Sequence, residues 1–371
     1  MKFTASDFPA KGNELTSAEI IRLCELAEQV GFDRFGVTDF PFHRDCVPLM
    51  TGCLLATDRI EVESLVTTPY ARLPDVTACM WATMAEMSGY RAILGIGGGV
   101  EAPSMVWVPP WGNERPHPVR AVRELVEICR DMWDGGTPAV DGEVLRASGM
   151  PLEFRLEQRV PVLVAARGPL MLSLAGEIAD IVHIAPPFLG LEYQRETLRR
   201  IAAGAARAGR SPGDFEIDLT ISLCTGPSRE KARRKAKLTT GAAILWMAGA
   251  DEYARKRADW RRPAEFAVPP HVVEALAEDW DMWSGELMPP EVEELITDDI
   301  LDQFTIAGEP EECLSRLEAL ADALPEITGF RFKFPPLVGS ESYDDFVDLI
   351  TAAGEIVAGF SKRDERSRPA S

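Results

Sequence analysis

Three stretches of the chain carry residues able to hold or transform a ligand: Asp39-Phe40-Pro41-Phe42-His43, Gly97-Gly98-Gly99 with Glu101 close behind, and Ala166-Arg167-Gly168-Pro169. Each follows an apolar run of strand length. Three successive glycines let a backbone approach a ligand closely, or else make a tight turn with no ligand at all. Arg167 stands at a helix start, where unpaired amides and the positive end of the dipole suit an anion, although a lone arginine is also an ordinary surface ion-pair partner. Asp39 is placed either to cap the turn that follows it or to face a ligand. His43, His117 and His183 lie near loops or strand ends without the spacing of a metal site, so no metal is expected.

The elements that must position these residues centre on 60–99. A β-branched strand at 61–67 breaks at Thr68-Pro69, a helix spans 75–88, and a second strand at 91–96 runs into the three glycines. Strands joined by a crossover helix in so few residues are parallel, which sets 66–70 beside 97–101. Before this unit the pattern predicts a short strand at 1–4, a helix opened by the Thr16/Glu19 capping box and stopped at Gly31, a strand at 34–38 and a helix at 47–56. After it come a helix at 119–133, a small hairpin within 134–158, strands at 160–165, 181–184 and 215–223 with helices at 169–176 and 191–208, and a helix from Ser228. A helix at 310–323, a strand at 329–334 and a helix at 343–360 close the chain.

Eight strands alternating with helices predict a (β/α)8 TIM barrel, one domain over 1–360, with functional groups at the carboxyl ends of the strands. The stretches 101–118 and 239–305 are too long for crossovers and read as lid insertions over that face. They hold Trp107, Trp111 and Trp246, with Trp260, Trp280 and Trp283 nearby, which serve either as core or dimer contacts or as an aromatic wall for substrate. Residues 361–371 are polar and of mixed charge, and read as a disordered tail.

At 371 residues the chain can bury one large core. Its formal charge of -20 argues against a nucleic-acid or anionic-membrane partner, either of which needs a basic face. Seven cysteines without a CxxC pair read as reduced core thiols of a cytoplasmic protein. The amino terminus has no apolar signal region, and the apolar runs are too short to span a bilayer. A soluble cytoplasmic protein acting on a small molecule is expected.

Five segments, in order, carry a resemblance: Val37-Thr38-Asp39, Val66-Thr67-Thr68-Pro69-Tyr70-Ala71-Arg72, 88–97, Ala166-Arg167-Gly168-Pro169 and 174–180. Together they resemble the bacterial-luciferase-like superfamily, in particular its deazaflavin-dependent reductases of the methylenetetrahydromethanopterin reductase type. The resemblance implies coenzyme F-420 as cofactor, with FMN as the alternative, and a homodimer. It implies a bulged third strand with a non-proline cis peptide at Leu65-Val66 propping the ring, with Thr67 and Asp39 near it. Gly97, Gly98 and Gly99 would then lie by the cofactor tail, and Ala166, Arg167 and Gly168 by its phosphate. Phe40 and the tryptophans Trp107, Trp111 and Trp246 are the candidate acceptor contacts.

Two positions depart from the resemblance. Phe40 stands where relatives often carry His, and Val100 where an acidic residue often follows the glycines. The nearest groups left to handle a proton are Asp39, His43 and Glu101. Three functions follow: hydride transfer between reduced F-420 and an imine, activated alkene or carbonyl; an FMN-dependent monooxygenase; or a non-catalytic flavin or deazaflavin binder.

Overall fold

A computed structural model describes residues 1–6, 15–39, 44–99, 117–147, 149–185, 187–248, 263–281, 287–334 and 343–367. Their strands are β1 Lys2–Ser6, β2 Arg34–Val37, β3 Glu61–Ser64, β4 Ala92–Ile96, β5 Val162–Ala166, β6 Ile181–Ile184, β7 Glu216–Thr225, β8 Thr305–Gly308 and β9 Gly329–Lys333. The helices are α1 Ser17–Gln29, α2 Cys46–Ala56, α3 Pro74–Met87, α4 Pro118–Trp133, α5 Pro169–Ile178, α6 Leu191–Arg207, α7 Arg229–Ala248, α8 Pro270–Asp279, α9 Pro290–Leu295, α10 Asp298–Leu301, α11 Pro310–Ala323 and α12 Tyr343–Ser367. The strand order is β6-β5-β4-β3-β2-β1-β9-β7-β8, and β6 also pairs with β7. Eight strands thus form a closed parallel barrel flanked by helices, the expected TIM barrel.

The chain packs as two compact units. One comprises Arg34–Ile184 and Thr197–Ile217. Its parallel ladder pairs Val37 with Ser64, Val62 with Ala92, Leu94 with Val162 and Leu163 with Ile181. Ile93, Leu163 and Ile181 pack together as a small apolar layer with Val66 against it. Arg34, 1% exposed, anchors the amino end of β2 by ion pairs to Glu61 at 2.9 Å and Glu216 at 2.6 Å. The turn into β4 needs positive φ at Gly89 (65°) and Tyr90 (68°). Arg91 then ties β4 down by donating to the carbonyls of Leu54, Thr57 and Ile60.

The other unit comprises Met1–Asp33, Ala185–Glu196 and Asp218–Ser371. Here β1 pairs with β9, and β7 pairs with both β9 and β8. The Thr16/Glu19 capping box opens α1 as the sequence predicted. The strand β8 was not anticipated: Thr305-Ile306-Ala307-Gly308 is only one turn's worth of residues, and it fell at the edge of the segment read as an insertion. It pairs with the carboxyl end of β7 and lies outside the closed ring of eight, whose last member is β9 at the expected place. The closing helix continues to Ser367, past Phe360. All seven cysteines are free, and Cys79 alone among them is exposed. Among the described residues no helix is long and apolar enough to cross a membrane.

Candidate active site

The centre of the site is the end of β3. Its ladder stops at Ser64, three residues short of the predicted end, and the Leu65-Val66 peptide is cis, as the resemblance implies. Pairing resumes at Thr67, whose N–H donates to Gly95 O at 2.9 Å and whose carbonyl accepts from Gly97 N–H at 2.9 Å. Across the gap the Ser64 hydroxyl replaces the missing rungs, donating to the Gly95 carbonyl at 2.8 Å and accepting from the Gly95 N–H at 2.9 Å. This substitution pulls the two backbones together. A Cβ on Gly95 would lie 1.8 Å from the Ser64 carbonyl oxygen, and one on Gly97 would lie 3.0 Å from Val66 Cγ2. Gly95→Ala is therefore expected to destabilise the protein by about 3 kcal/mol, because backbone rather than a flexible side chain occupies the space. An unchanged urea midpoint would show that the contact is not this close.

Beside this shelf lies an ionic clamp. Thr68-Pro69 ends the strand, and a turn held by Tyr70 N–H on Thr68 Oγ1 at 3.1 Å aims Arg72 back toward β2. Its guanidinium grips Asp39 with both nitrogens, Nη1 to Oδ2 at 2.5 Å and Nη2 to Oδ1 at 3.3 Å. Nη1 also donates to Thr67 Oγ1 at 3.2 Å, and Nη2 to Asp45 at 3.0 Å. Asp45 in turn caps α2 through the Val47 N–H. Burial disfavours the charged guanidinium, but the hydrogen bond and charge of Asp39 more than offset it and raise the Arg72 pKa. The adjacent Cys46 thiol is pushed up as well, by burial first and by the Asp39 charge second. It is accordingly a neutral packing group rather than a nucleophile.

The third part joins the glycine loop to the start of α5. A Cβ on Gly98 would meet Pro118 at 3.2 Å and Met171 at 3.3 Å, and Gly97 faces Ala165 at 3.7 Å. Gly99 has φ of 76°, which favours glycine. Gly168 is the N-cap of α5 with Pro169 in the first turn, and no side chain caps the helix. Alternation along the strand puts Leu163 and Ala165 on one face, with Arg167 just past its end, and register sets His183 of β6 opposite Ala165. Burial lowers the His183 pKa to about 4, so its ring is neutral at physiological pH.

Of the residues singled out from sequence, Asp39 and Thr67 are joined through Arg72, Leu65 and Val66 pack on Gly36, Gly95 and Gly97, and Gly97 and Gly98 lie against Ala165 and Met171, which flank Ala166, Arg167 and Gly168 in the chain. Phe40, His43, Glu101, Trp107 and Trp111 lie outside the described residues. Trp246 belongs to the other unit, on α7. Sequence reasoning gave no role to Ser64, Gly95 or Arg72. The signal for Arg72 was an arginine following a strand end, with Asp39 and Asp45 flanking the end of the preceding strand's loop. Among the described residues no group of His, Cys, Asp or Glu is placed to hold a metal ion.

Residues 1–326 match the luciferase-like monooxygenase family. The 5,10-methylenetetrahydromethanopterin reductase of Archaeoglobus fulgidus is 31% identical over 301 residues, which is 81% of this chain and 85% of that one. Among solved structures, the coenzyme F-420-dependent tetrahydromethanopterin reductase of Methanopyrus kandleri superposes with a TM-score of 0.74 at 23% identity, covering 97% of this chain and 99% of that one. An F-420-dependent secondary alcohol dehydrogenase in complex with an F-420–acetone adduct gives 0.69 at 19% identity, over 96% and 99% of the two chains.

Proposed function

The chain belongs to the luciferase-like monooxygenase family, and from that premise we propose that it is an oxidoreductase transferring a hydride between coenzyme F-420 and a small organic acceptor. What carries this reading is the meeting, within one unit, of the Gly97-Gly98-Gly99 loop and the uncapped start of α5. The loop offers close backbone approach, and the helix start with Arg167 offers amides and a cation to an anionic tail. When bound, the deazaflavin supplies hydride chemistry in two-electron steps. The protein's part is to hold and orient. Leu65 and Val66 form the shelf under the ring, Asp39 and Thr67 are fixed beside it by Arg72, and Ala166, Arg167 and Gly168 take the phosphate. The relatives named for F-420 support that cofactor over FMN.

The test is a titration of the protein with F-420 and FMN side by side, followed by oxidation of reduced F-420 with imines, activated alkenes and carbonyls. Tight FMN binding with oxygen consumption would replace this reading by a monooxygenase, and F-420 binding without turnover on any acceptor would leave a binding protein. Arg167→Ala should weaken F-420 binding by about 1.5–3 kcal/mol, the range for a hydrogen bond to a charged group. An unchanged dissociation constant would remove Arg167 from the phosphate site. The reading extends to a cytoplasmic protein, on its free cysteines, and to a homodimer, as the family resemblance implies; light scattering on the purified protein decides the dimer.

A further inference from the structure

In the unit that contains the last barrel strand, β9 alternates between two faces. Phe330 and Phe332 pack outward on Phe3, and Phe330 also on Phe360 of α12. Gly329, Arg331 and Lys333 therefore face the barrel interior. Arg331 is 1% exposed and pairs with the equally buried Asp218 of β7 at 2.9 Å. Two residues further, at the carboxyl end, Lys333 stands in register with Ser222 of β7, so the two project to the same face. Its Nζ lies 4.3 Å above the ring of Trp246.

Unlike Arg331, Lys333 has no carboxylate within ion-pair distance among the described residues. Enough protein surrounds its ammonium that burial alone lowers its pKa to about 8, while the side chain keeps partial exposure by which a ligand can reach it. Ser222 is fully buried, and its hydroxyl has no hydrogen-bond partner among the described residues. A cation short of counter-charge and a hydroxyl short of a partner are each unfavourable alone. They stand together where the β9–β7 ladder ends, with Lys333 at the carboxyl end of β9, the side on which barrels of this kind bind ligands.

We propose that Lys333 and Ser222 form a subsite for a carboxylate or phosphate group of the acceptor, with Trp246 lining it. The word acceptor rests on the oxidoreductase reading; the anion subsite itself does not. A cation over an aromatic ring is held in place without being neutralised, which leaves its charge for the ligand.

Lysine acylation read by mass spectrometry tests this directly, because the exposed Lys231 and Lys362 serve as internal controls. Succinate and inorganic phosphate are the probes. At about ten times the half-effect concentration of whichever probe fits, single-site occupancy slows acylation of Lys333 about tenfold and leaves the controls unchanged. Ser222→Ala removes a hydroxyl that pairs with nothing described in the protein, so folding is not at stake, and it should raise the half-effect concentration several-fold. Failure of both probes to protect Lys333 would overturn the proposal. Protection by F-420 in place of both probes would assign the anion to the cofactor and overturn the acceptor subsite. Protection by a probe in protein that does not bind F-420 would keep the subsite and sink the cofactor reading instead.

Discussion

Arg72→Met is expected to lower the stability of the folded protein by about 2–3 kcal/mol, between the loss for a surface pair and that for deleting one partner of a fully buried one. The pair is half-buried: the Arg72 side chain is 14% exposed and that of Asp39 12%. Without the guanidinium, Asp39 is left as a half-buried carboxylate with neither of its two donors from Arg72. Asp45, at 57% exposure, is solvated and adds little to the loss. Because the penalty comes from the stranded charge, Asp39→Asn in the Arg72→Met background should recover a large part of it. Denaturant unfolding of the two single variants and the double variant measures this coupling. A loss below about 1 kcal/mol, or strictly additive single and double variants, would show the clamp to be a surface pair. F-420 affinity should fall with Arg72→Met as well, since Thr67 and Asp39 lose the group that fixes them.

That clamp also marks where sequence reading stops. The barrel was legible because most strands are apolar or β-branched runs bounded by turn residues and alternating with helices, and the segment 60–99 reads as a βαβ unit on spacing alone. The strand β8 was not, because four residues give too short a period to tell from loop. At the site, the glycines and Arg167 could be found from their place at strand and helix ends. Arg72 could not be assigned, since its partners Asp39 and Asp45 are distant in sequence and a bidentate grip is a matter of side-chain direction. Gly95 looked like one strand residue among others. Only the approach of the Ser64 carbonyl shows why a side chain cannot stand there. Lys333 was hidden for a similar reason: a lysine at a strand end reads as solvated until its neighbours are known to be an aromatic ring and a buried hydroxyl.

The same geometry narrows the source of the proton. Hydride delivered to a neutral carbonyl or alkene leaves an anion that must be protonated, whereas a protonated imine becomes neutral and needs nothing further. For the first kind of acceptor the proton comes from an acid on the protein or from water. Asp39 is a poor choice, because both of its oxygens accept from Arg72. His183 is another, because burial holds its pKa near 4 and its ring carries no extra proton at neutral pH. Lys333, in the role inferred above, is committed to an anion. Glu101 and His43 remain, and Glu101 is preferred for its place just beyond the glycine loop. General-acid help is typically worth about 10²–10⁴ in rate. Glu101→Gln or His43→Asn is therefore expected to slow turnover by that factor while F-420 binding stays near the parent value, as single-turnover kinetics and a binding titration would show. Should both variants turn over at the parent rate with the natural acceptor, neither residue is the acid, and the acceptor is a cationic imine or takes its proton from water.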